Sequence, residues 1–353
     1  MKLAVLISGG RTGSDFFQSL LDGHEEILSF PGIFYFDKFL KELKINKKNP
    51  GNLFIEMNKD FFDSRLNLRE RHNQLGKNKN EFYIVSKRKF LQIFNKKYKK
   101  NDDNFDILKK LHQAYAYAKG DKLKKKKLIF LHIHHWQRLE NLKDLNFTVL
   151  YTLRDPLINL SSAFKNWTNY NHSKLFSYNQ LCFYYDRIRN GIEYCNRSKK
   201  RDFYIIKLED LHKKNINLMK KFCKLFKLKK NKCLNISSFH NKKWWGDSIG
   251  NRYLNGVNIN YKSSIDQKLF YDFDIKYLKS EMNNIYYDYY NQKHIKKINY
   301  FFRPLKMELL LLKSDLKKFK IFSIFKFIYY SILRYQLLNK KIKHKNPKNL
   351  IDI

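Results

Sequence analysis

The order of apolar and polar positions predicts buried strands that alternate with helices. An unbroken apolar run from Leu3 to Ile7 is typical of a strand buried on both faces of a parallel sheet, and it stops at Ser8. Apolar residues then recur at helical spacing from Phe16 to Leu21, and Gly23 offers a left-handed stop. Three later runs have the same strand character: Leu128 to His134, Phe147 to Leu153 and Phe203 to Lys207. The pattern predicts an α/β fold with a central parallel sheet flanked by helices.

Other stretches with helical spacing predict further helices. They are Phe90 to Tyr98, Phe105 to Ala118, Leu139 to Leu145, Tyr178 to Ile192 and Asn217 to Phe226. Elsewhere between Gly32 and Lys127, aromatic patches alternate with Lys- and Asn-rich stretches that predict no clear element. One α/β domain with helical insertions, residues 1–304, is the simplest interpretation, because no Pro- or Ser-rich linker divides the chain.

The last part of the chain, residues 305–353, has a different character. An apolar band from Phe319 to Leu338 is interrupted by basic residues such as Lys320 and Lys326. These charges and the length argue against a spanning helix. A basic amphipathic helix of this kind either docks on the domain or lies on the surface of an anionic membrane. Residues past Lys340 are expected to form a frayed, basic tail.

The turn after the first predicted strand has the features of an anion-binding loop. Gly9, Gly10 and Gly13 let the backbone turn sharply, and the predicted helix begins directly after them. Free N–H groups and the positive end of the helix dipole would point into this turn, and Arg11 adds a fork of donors suited to phosphate or sulfate. The loop lacks the Lys-Ser/Thr ending of a nucleotide triphosphate loop, so ATP is disfavoured. On its own, the pattern is equally consistent with a plain tight turn.

A second motif follows the strand that ends at Leu153. Asp155 is a good helix N-cap and Pro156 a good first helical residue. Arg154 is therefore expected at the carboxyl end of the strand, and Ser162 about two turns down the next helix. Ligands of open α/β sheets bind at such strand ends. An ordinary strand-to-helix turn with a surface arginine is the alternative.

Together, the two motifs resemble those of sulfotransferases that use 3'-phosphoadenosine 5'-phosphosulfate (PAPS). The stretch from Ser8 to Ile27 is similar to their 5'-phosphosulfate loop and helix, with Asp15 in place of a hydroxyl residue and Glu25 in place of a proline. The segment from Tyr151 to Phe164 is similar to their 3'-phosphate motif, with an arginine and a serine eight positions apart. The resemblance extends to the Glu209-Asp210-Leu211 segment and implies a P-loop NTPase-like sulfotransferase fold.

The resemblance implies direct transfer of a sulfuryl group from PAPS to a hydroxyl or amine, without a metal. The acceptor would be a small molecule or a glycan, such as a carbohydrate or lipid-linked glycan. The donor-binding residues so implied are Gly10, Arg11, Thr12, Gly13, Ser14, Arg154, Ser162 and Arg252. The segment from Asn241 to Ser248 resembles a loop that covers the substrate or the nucleotide. Its two adjacent tryptophans are equally consistent with a packing plug and a sugar-stacking surface.

The resemblance also points to candidates for the catalytic base. Sulfotransferases similar to the protein-tyrosine type have a glutamate about 21 residues after the loop arginine, but Gly32 stands there. The cytosolic small-molecule type has a histidine 22 residues before the 3'-phosphate arginine, which is His132 here. Strand alternation predicts that His132 and His134 point to the same side, with His135 at the strand end. Histidine has an unperturbed pKa near working pH, so His132 and His134, together with Arg11, are the predicted catalytic residues. His135 or an unidentified residue is the alternative base.

Composition adds a large positive charge. The net charge is +40, but only 14 of the 72 basic residues are arginine, and the chain is rich in Asn, Ile, Phe and Tyr. We attribute most of the charge to compositional bias and solvated surface, so nucleic acid is not an expected partner. A basic nucleic-acid or membrane-binding protein without catalysis, and a kinase with an unusual loop, are the alternative functions.

The cysteines and the N-terminus bear on the compartment. Cys182, Cys195, Cys223 and Cys233 form no Cys-x-x-Cys pair and no zinc-binding spacing, so they are expected to be reduced or buried. The N-terminal apolar run is too short for a signal peptide. We therefore expect a cytoplasmic protein, with peripheral membrane contact through the C-terminal segment as an open alternative.

Overall fold

The computed structural model describes residues 1–46, 48–167, 191–192, 202–248, 253–262, 264–265 and 270–299, and beyond these residues 309, 324–325, 328–329, 331–333, 336 and 348–352. A parallel sheet lies at the centre. Its strands are β1 (Lys2–Ser8), β2 (Ile27–Ser29), β3 (Leu128–His134), β4 (Thr148–Leu153), β5 (Phe203–Lys207) and the two-residue β8 (Lys348–Asn349). A separate antiparallel pair consists of β6 (Ser238–Phe239) and β7 (Lys242–Lys243).

The sheet has the strand order β2-β3-β1-β4-β5-β8, and all neighbouring strands are parallel. Successive residues of β1 point to opposite faces, yet every residue from Leu3 to Ile7 is buried, so both faces are covered. The predicted α/β fold, a central parallel sheet flanked by helices, is confirmed. The four predicted strands lie within one residue of their predicted bounds.

Helices connect the strands. They are α1 (Ser14–Leu21), α2 (Phe36–Asn46), α3 (Pro50–Met57), α4 (Lys59–Phe62), α5 (Lys87–Lys97), α6 (Asn104–Lys119), α7 (Pro156–Trp167), α8 (Leu208–Lys213), α9 (Asn215–Phe226), α10 (Asp272–Glu281) and α11 (Asn283–Tyr290). The helices predicted around Phe90, Phe105 and Asn217 are confirmed as α5, α6 and α9.

Two other helix predictions have different outcomes. The helix predicted from Leu139 to Leu145 is present as a 3₁₀ helix that begins and ends three residues earlier, at Trp136–Leu142. Its buried residues, Leu139 and Leu142, are three apart, a spacing that also suits a 3₁₀ helix. The helix predicted from Tyr178 to Ile192 lies outside the described residues, apart from 191–192.

Helices α2, α3 and α4 fall in the segment for which no clear element was predicted. α3 begins at Pro50, and Asn49 Oδ1 accepts hydrogen bonds from the amides of Gly51 (2.9 Å) and Asn52 (3.3 Å). This N-cap followed by proline is the sequence signal that marks the helix. The aromatic patches of the segment pack against one another in the core through Phe34, Phe39, Phe54, Phe61 and Phe90.

The end of the chain returns to the sheet. β8 pairs with β5, with Lys348 opposite Tyr204 and Asn349 opposite Ile205. The next residue, Leu350, is fully buried. The expectation of a frayed tail is wrong for residues 348–352, because a strand pairing and a buried leucine hold them on the domain.

Most of the predicted amphipathic segment lies outside the described residues. Five of its described apolar residues are 44 to 79% exposed, whereas Leu333 is half-buried: the five are Ile324, Phe325, Ile328, Tyr329 and Ile332. Within the described part of the chain, no helix combines the length and the hydropathy needed to cross a bilayer. Contact with an anionic membrane surface and the division at residue 304 stay predictions.

Leu350→Ala should lower the free energy of unfolding by about 2 to 4 kcal/mol, because it removes a fully buried leucine side chain. Urea denaturation measures the change. The matched control is Leu66→Ala, where the leucine is 60% exposed and the expected change is below about 0.5 kcal/mol. Equal effects of the two substitutions would show that the end of the chain does not pack on the domain.

Candidate functional site

The carboxyl ends of β1, β3, β4 and β5 meet at one edge of the sheet, because these strands are parallel neighbours. β1 lies between β3 and β4, and the chain continues from β1 toward β2 on one side and from β4 toward β5 on the other. Open α/β sheets bind their ligands at such a switch point. Both motifs found in the sequence begin here, one at Gly9 and one at Arg154.

The loop after β1 is a turn with left-handed backbone conformations. Positive φ angles occur at Gly10 (79°), Arg11 (57°) and Gly13 (83°). The Gly10 amide donates to Ser8 Oγ at 3.0 Å, which fixes the start of the turn. The φ angle of Gly13 favours glycine, and a Cβ there would lie 2.4 Å from Leu208 Cδ1, so any side chain would also displace Leu208 on α8.

Helix α1 begins directly after this turn without a side-chain cap. Its N-cap residue is Gly13, which has no side chain that could bond to the amides of the first turn. Those amides and the positive end of the helix dipole therefore face the turn, with the buried Ser14 as the first helical residue. The Thr12 hydroxyl bonds to Thr152 Oγ1 on β4 at 2.7 Å, so this side chain ties the loop to the sheet.

The structure brings Arg11, Arg154 and Ser162 together. Arg11 Nε lies 3.5 Å from Ser162 Oγ, and Arg154 Nη1 lies 3.5 Å from the Arg11 carbonyl oxygen. The two motifs, about 140 residues apart in the chain, thus share one edge of the sheet. Arg252, the further predicted phosphate contact, lies outside the described residues.

Asp155 fixes the turn that carries Arg154. Its Oδ1 accepts hydrogen bonds from the amides of Leu157 (3.0 Å) and Ile158 (3.1 Å), so it caps α7 as predicted. The Tyr286 hydroxyl on α11 donates to the same oxygen at 3.1 Å. Asp155 is therefore held in place by hydrogen bonds with both α7 and α11.

Three carboxyl groups that no local sequence pattern joins lie beside Arg11. One oxygen each of Asp15, Glu70 and Asp247 lies within 4.8 Å of the other two. Arg11 Nη1 donates to Asp247 Oδ2 at 2.8 Å. Asp15 was noticed in the sequence only as a departure from the motif. Glu70 and Asp247 come to this site through tertiary structure alone.

Burial is the main cause of the shifted pKa values of two of these groups, Asp15 and Glu70. The pKa of Asp15 is raised to about 6, first by burial and then by the charge of Asp247, while the charge of Arg11 opposes the shift. Burial also holds the pKa of Glu70 well above its usual range, and Asp15 and Asp247 add to the effect. Asp247, the third member of the cluster, forms an ion pair with Arg11.

The two adjacent tryptophans have different surroundings. Trp244 is 1% exposed, and its Nε1 donates to the Glu70 carbonyl oxygen at 2.6 Å, so it is a packing plug. Trp245 is half-buried, and the ammonium groups of Lys79 and Lys243 lie 4.9 and 3.7 Å from its ring centroid. Cations occupy the position that a stacked sugar would need on that ring.

The two histidines predicted as bases also differ. The His132 side chain is fully buried, with Nδ1 2.8 Å from Gln18 Oε1 and 3.7 Å from Asp15 Oδ1. Burial, with a smaller contribution from His135, lowers the pKa of His132 to about 3. His134 is half-buried, and its Nδ1 lies 3.2 Å from Ser8 Oγ at the start of the anion loop.

An irregularity in the sheet separates these histidines. Leu6 of β1 pairs with His132, but the next residue of β1, Ile7, pairs with His134. His134 also has a positive φ angle of 64°. The regular alternation from which a common orientation was predicted therefore does not hold at Ile133.

Comparisons with known proteins add little beyond this geometry. No protein-family model matches the sequence, and no curated protein is significantly similar to it. Among solved structures, the chain is similar to the sulfotransferase domain from the curacin biosynthetic pathway, with a TM-score of 0.40 and 16% sequence identity. The match covers 76% of this chain and 88% of that one. A likeness at this level does not assign an activity.

Asp15→Asn should stabilise the protein at pH 7.5 by about 1 to 3 kcal/mol. The folded-state pKa of about 6 lies above the usual 3.8, so the folded chain binds this proton more tightly than the unfolded chain does. The wild type therefore loses stability as the pH rises from about 4 to 6, and the variant does not. Urea denaturation at a series of pH values should show the difference vanish near pH 4.

Asp22→Asn is the control with the opposite sign. Burial would raise the pKa of Asp22, but Lys119, the Asn241 amide and Ser238 outweigh it and lower the pKa to about 2. This carboxylate stabilises the fold above pH 4, and the contribution is lost as the pH falls toward 2. The variant should therefore be less stable at pH 7.5. A loss of stability at pH 7.5 in Asp15→Asn as well would contradict the cause assigned to the Asp15 shift.

Proposed function

We propose that the protein is a sulfotransferase that transfers a sulfuryl group from PAPS to a hydroxyl or amine of an acceptor. The observation that carries the proposal is the approach of Arg11, Arg154 and Ser162 at the carboxyl ends of β1 and β4, beside the uncapped start of α1. Two arginines and a row of backbone amides suit a donor with phosphate groups at both ends of its ribose.

The donor would be held at two points. Arg11 and the loop amides from Gly10 to Ser14 would bind the 5'-phosphate, which becomes the leaving group. Arg154 and Ser162 would bind the 3'-phosphate and set the register of the nucleotide. Transfer of this kind resembles phosphoryl transfer, in which positioning and neutralisation of spread negative charge do most of the catalysis. PAPS would supply the activated sulfuryl group.

The acceptor base is proposed to be a histidine at the end of β3. A base has to reach the acceptor hydroxyl, and the His132 side chain is fully buried against Gln18. His134 is partly exposed and lies against Ser8 at the anion loop, so the geometry favours His134. The acceptor is proposed to be a small molecule or a glycan, in keeping with the family that the motifs resemble.

A thermal-shift assay separates this function from its alternatives. Adenosine 3',5'-bisphosphate, the product nucleotide, should stabilise the protein by about 2.7 kcal/mol at 100 times its dissociation constant. ATP with magnesium should give a much smaller shift, because the loop lacks the Lys-Ser/Thr ending. Stabilisation by ATP alone would favour the kinase, and stabilisation by neither nucleotide would favour a non-catalytic basic protein.

Arg11→Ala and Arg154→Ala should each weaken binding of adenosine 3',5'-bisphosphate by about 1.5 to 3 kcal/mol, because each removes a charge-assisted contact to a different phosphate. Isothermal titration calorimetry measures both losses. The control is Arg65→Ala, which removes an exposed arginine paired with Asp63 and should leave the affinity unchanged. Unchanged affinity in both test variants would rule out the assigned donor site.

His134→Ala should lower kcat by about 10² to 10⁴-fold and leave the donor affinity nearly unchanged, as expected for loss of a general base. Turnover is measured with the best acceptor from a panel of alcohols, phenols and sugars and radiolabelled PAPS. The matched variant is His132→Ala, which removes the buried histidine and should mainly lower stability. Full turnover in His134→Ala, with loss of turnover in a folded His132→Ala, would move the role to His132.

A further inference from the structure

The arginine assigned to the 5'-phosphate already binds a carboxylate of its own chain. Arg11 Nη1 donates to Asp247 Oδ2 at 2.8 Å, and the two side chains are only 16 and 19% exposed. A charge-assisted hydrogen bond in partly buried surroundings is stronger than an ion pair on the surface. Any anion that binds Arg11 through Nη1 has to compete with Asp247.

Asp247 is placed on Arg11 by a segment with defined contacts on both sides. Before it, the Trp245 indole donates to the Gly76 carbonyl oxygen at 2.7 Å. After it, the amide and the hydroxyl of Ser248 donate to the Arg69 carbonyl oxygen at 2.8 and 3.0 Å. The contact with Arg11 is therefore part of the fold of this segment.

Gly246 gives this segment a turn directly before Asp247. Its φ angle is 86°, a backbone conformation that residues with a side chain rarely adopt. A Cβ there would lie 2.7 Å from Leu254 Cγ. A few backbone rotations at this position would move Asp247 while Trp244 stays in the core.

The bound position of Asp247 also has an electrostatic cost. Its oxygen lies within 4.8 Å of oxygens of Asp15 and Glu70, so three carboxyl groups compete for compensation by Arg11 and the nearby Arg69. The raised pKa of Asp15 reflects this crowding in part. Departure of Asp247 would relieve the repulsion and leave Arg11 open to another anion.

We propose that Asp247 is an internal competitor for the anion site at Arg11, and that it restricts the site to ligands with a phosphate or sulfate dianion. This proposal rests on the proposed function only in assigning Arg11 to the ligand's phosphate. A monoanion that replaces the Asp247 carboxylate places the same single negative charge beside Arg11. A dianion places two negative charges next to the guanidinium and the loop amides. It therefore binds more strongly than the carboxylate and displaces Asp247.

The test compares wild type with Asp247→Asn, which keeps the shape of the side chain and removes its charge. The control is Asp144→Asn, which removes one charge from an exposed aspartate. Three probes are titrated at constant ionic strength and pH 7.5: inorganic phosphate, the monoanion dimethyl phosphate and adenosine 3',5'-bisphosphate. Tryptophan fluorescence follows binding, since Trp245 lies two residues from Asp247.

Asp247→Asn should bind inorganic phosphate about tenfold more tightly than wild type and should also bind dimethyl phosphate, which wild type and Asp144→Asn reject. The affinity of Asp247→Asn for adenosine 3',5'-bisphosphate should rise by a similar factor. Asp247→Ala, checked for folding by its melting temperature, should follow Asp247→Asn. Equal or weaker phosphate binding in a folded Asp247 variant, or equal binding of both inorganic probes by wild type, would overturn the proposal.

The probes also separate this proposal from the proposed function. If phosphate binding tightens as expected but no protein binds the bisphosphate, the competitor role stands and the PAPS assignment falls. If the bisphosphate binds wild type and Asp247→Asn alike, the PAPS assignment stands and the competitor role falls. Absence of binding of every probe to every protein would overturn both.

Discussion

The position of β1 constrains the rest of the structure. It is a central strand buried on both faces, so the chain has to leave its carboxyl end by a short turn in the limited space between α8 and the neighbouring strands. Left-handed conformations at Gly10, Arg11 and Gly13 provide that turn. The same turn aims the first amides of α1 at the strand ends and brings the Arg11 backbone to Arg154. A burial requirement in the core thus determines which polar groups meet at the edge of the sheet.

The charge at the site differs from the charge of the whole chain. The chain carries +40, yet Arg11 lies among Asp15, Glu70 and Asp247. Surface lysines act over distances at which salt screens them, whereas carboxyl groups within a few ångströms in partly buried surroundings interact strongly. An approaching anion would be attracted by the basic outer surface and then repelled by the carboxyl groups beside the anion loop. Net charge is therefore a poor guide to the chemistry of this site.

The features that were predicted depend on local sequence. The strands follow from continuous apolar runs. The N-cap of α7 at Asp155 follows from the adjacent residues Arg154, Asp155 and Pro156. Features that depend on distant parts of the chain were not predicted. Glu70 and Asp247 come close to Arg11 only in the folded chain, and the irregular pairing of β3 with β1 at Ile7 depends on both strands together. α2 and α3 were missed although the sequence carries signals for both: Phe36, Phe39 and Leu40 have helical spacing, and Asn49 and Pro50 mark the start of α3.

The pairing of β8 with β5 changes how the C-terminal part of the chain is understood. Removing everything after Pro304 would also remove β8 and leave the outer edge of β5 unpaired at Tyr204 and Ile205. An unpaired edge of this kind favours association with other strands, so the two residues of β8 shield part of this edge from such contacts.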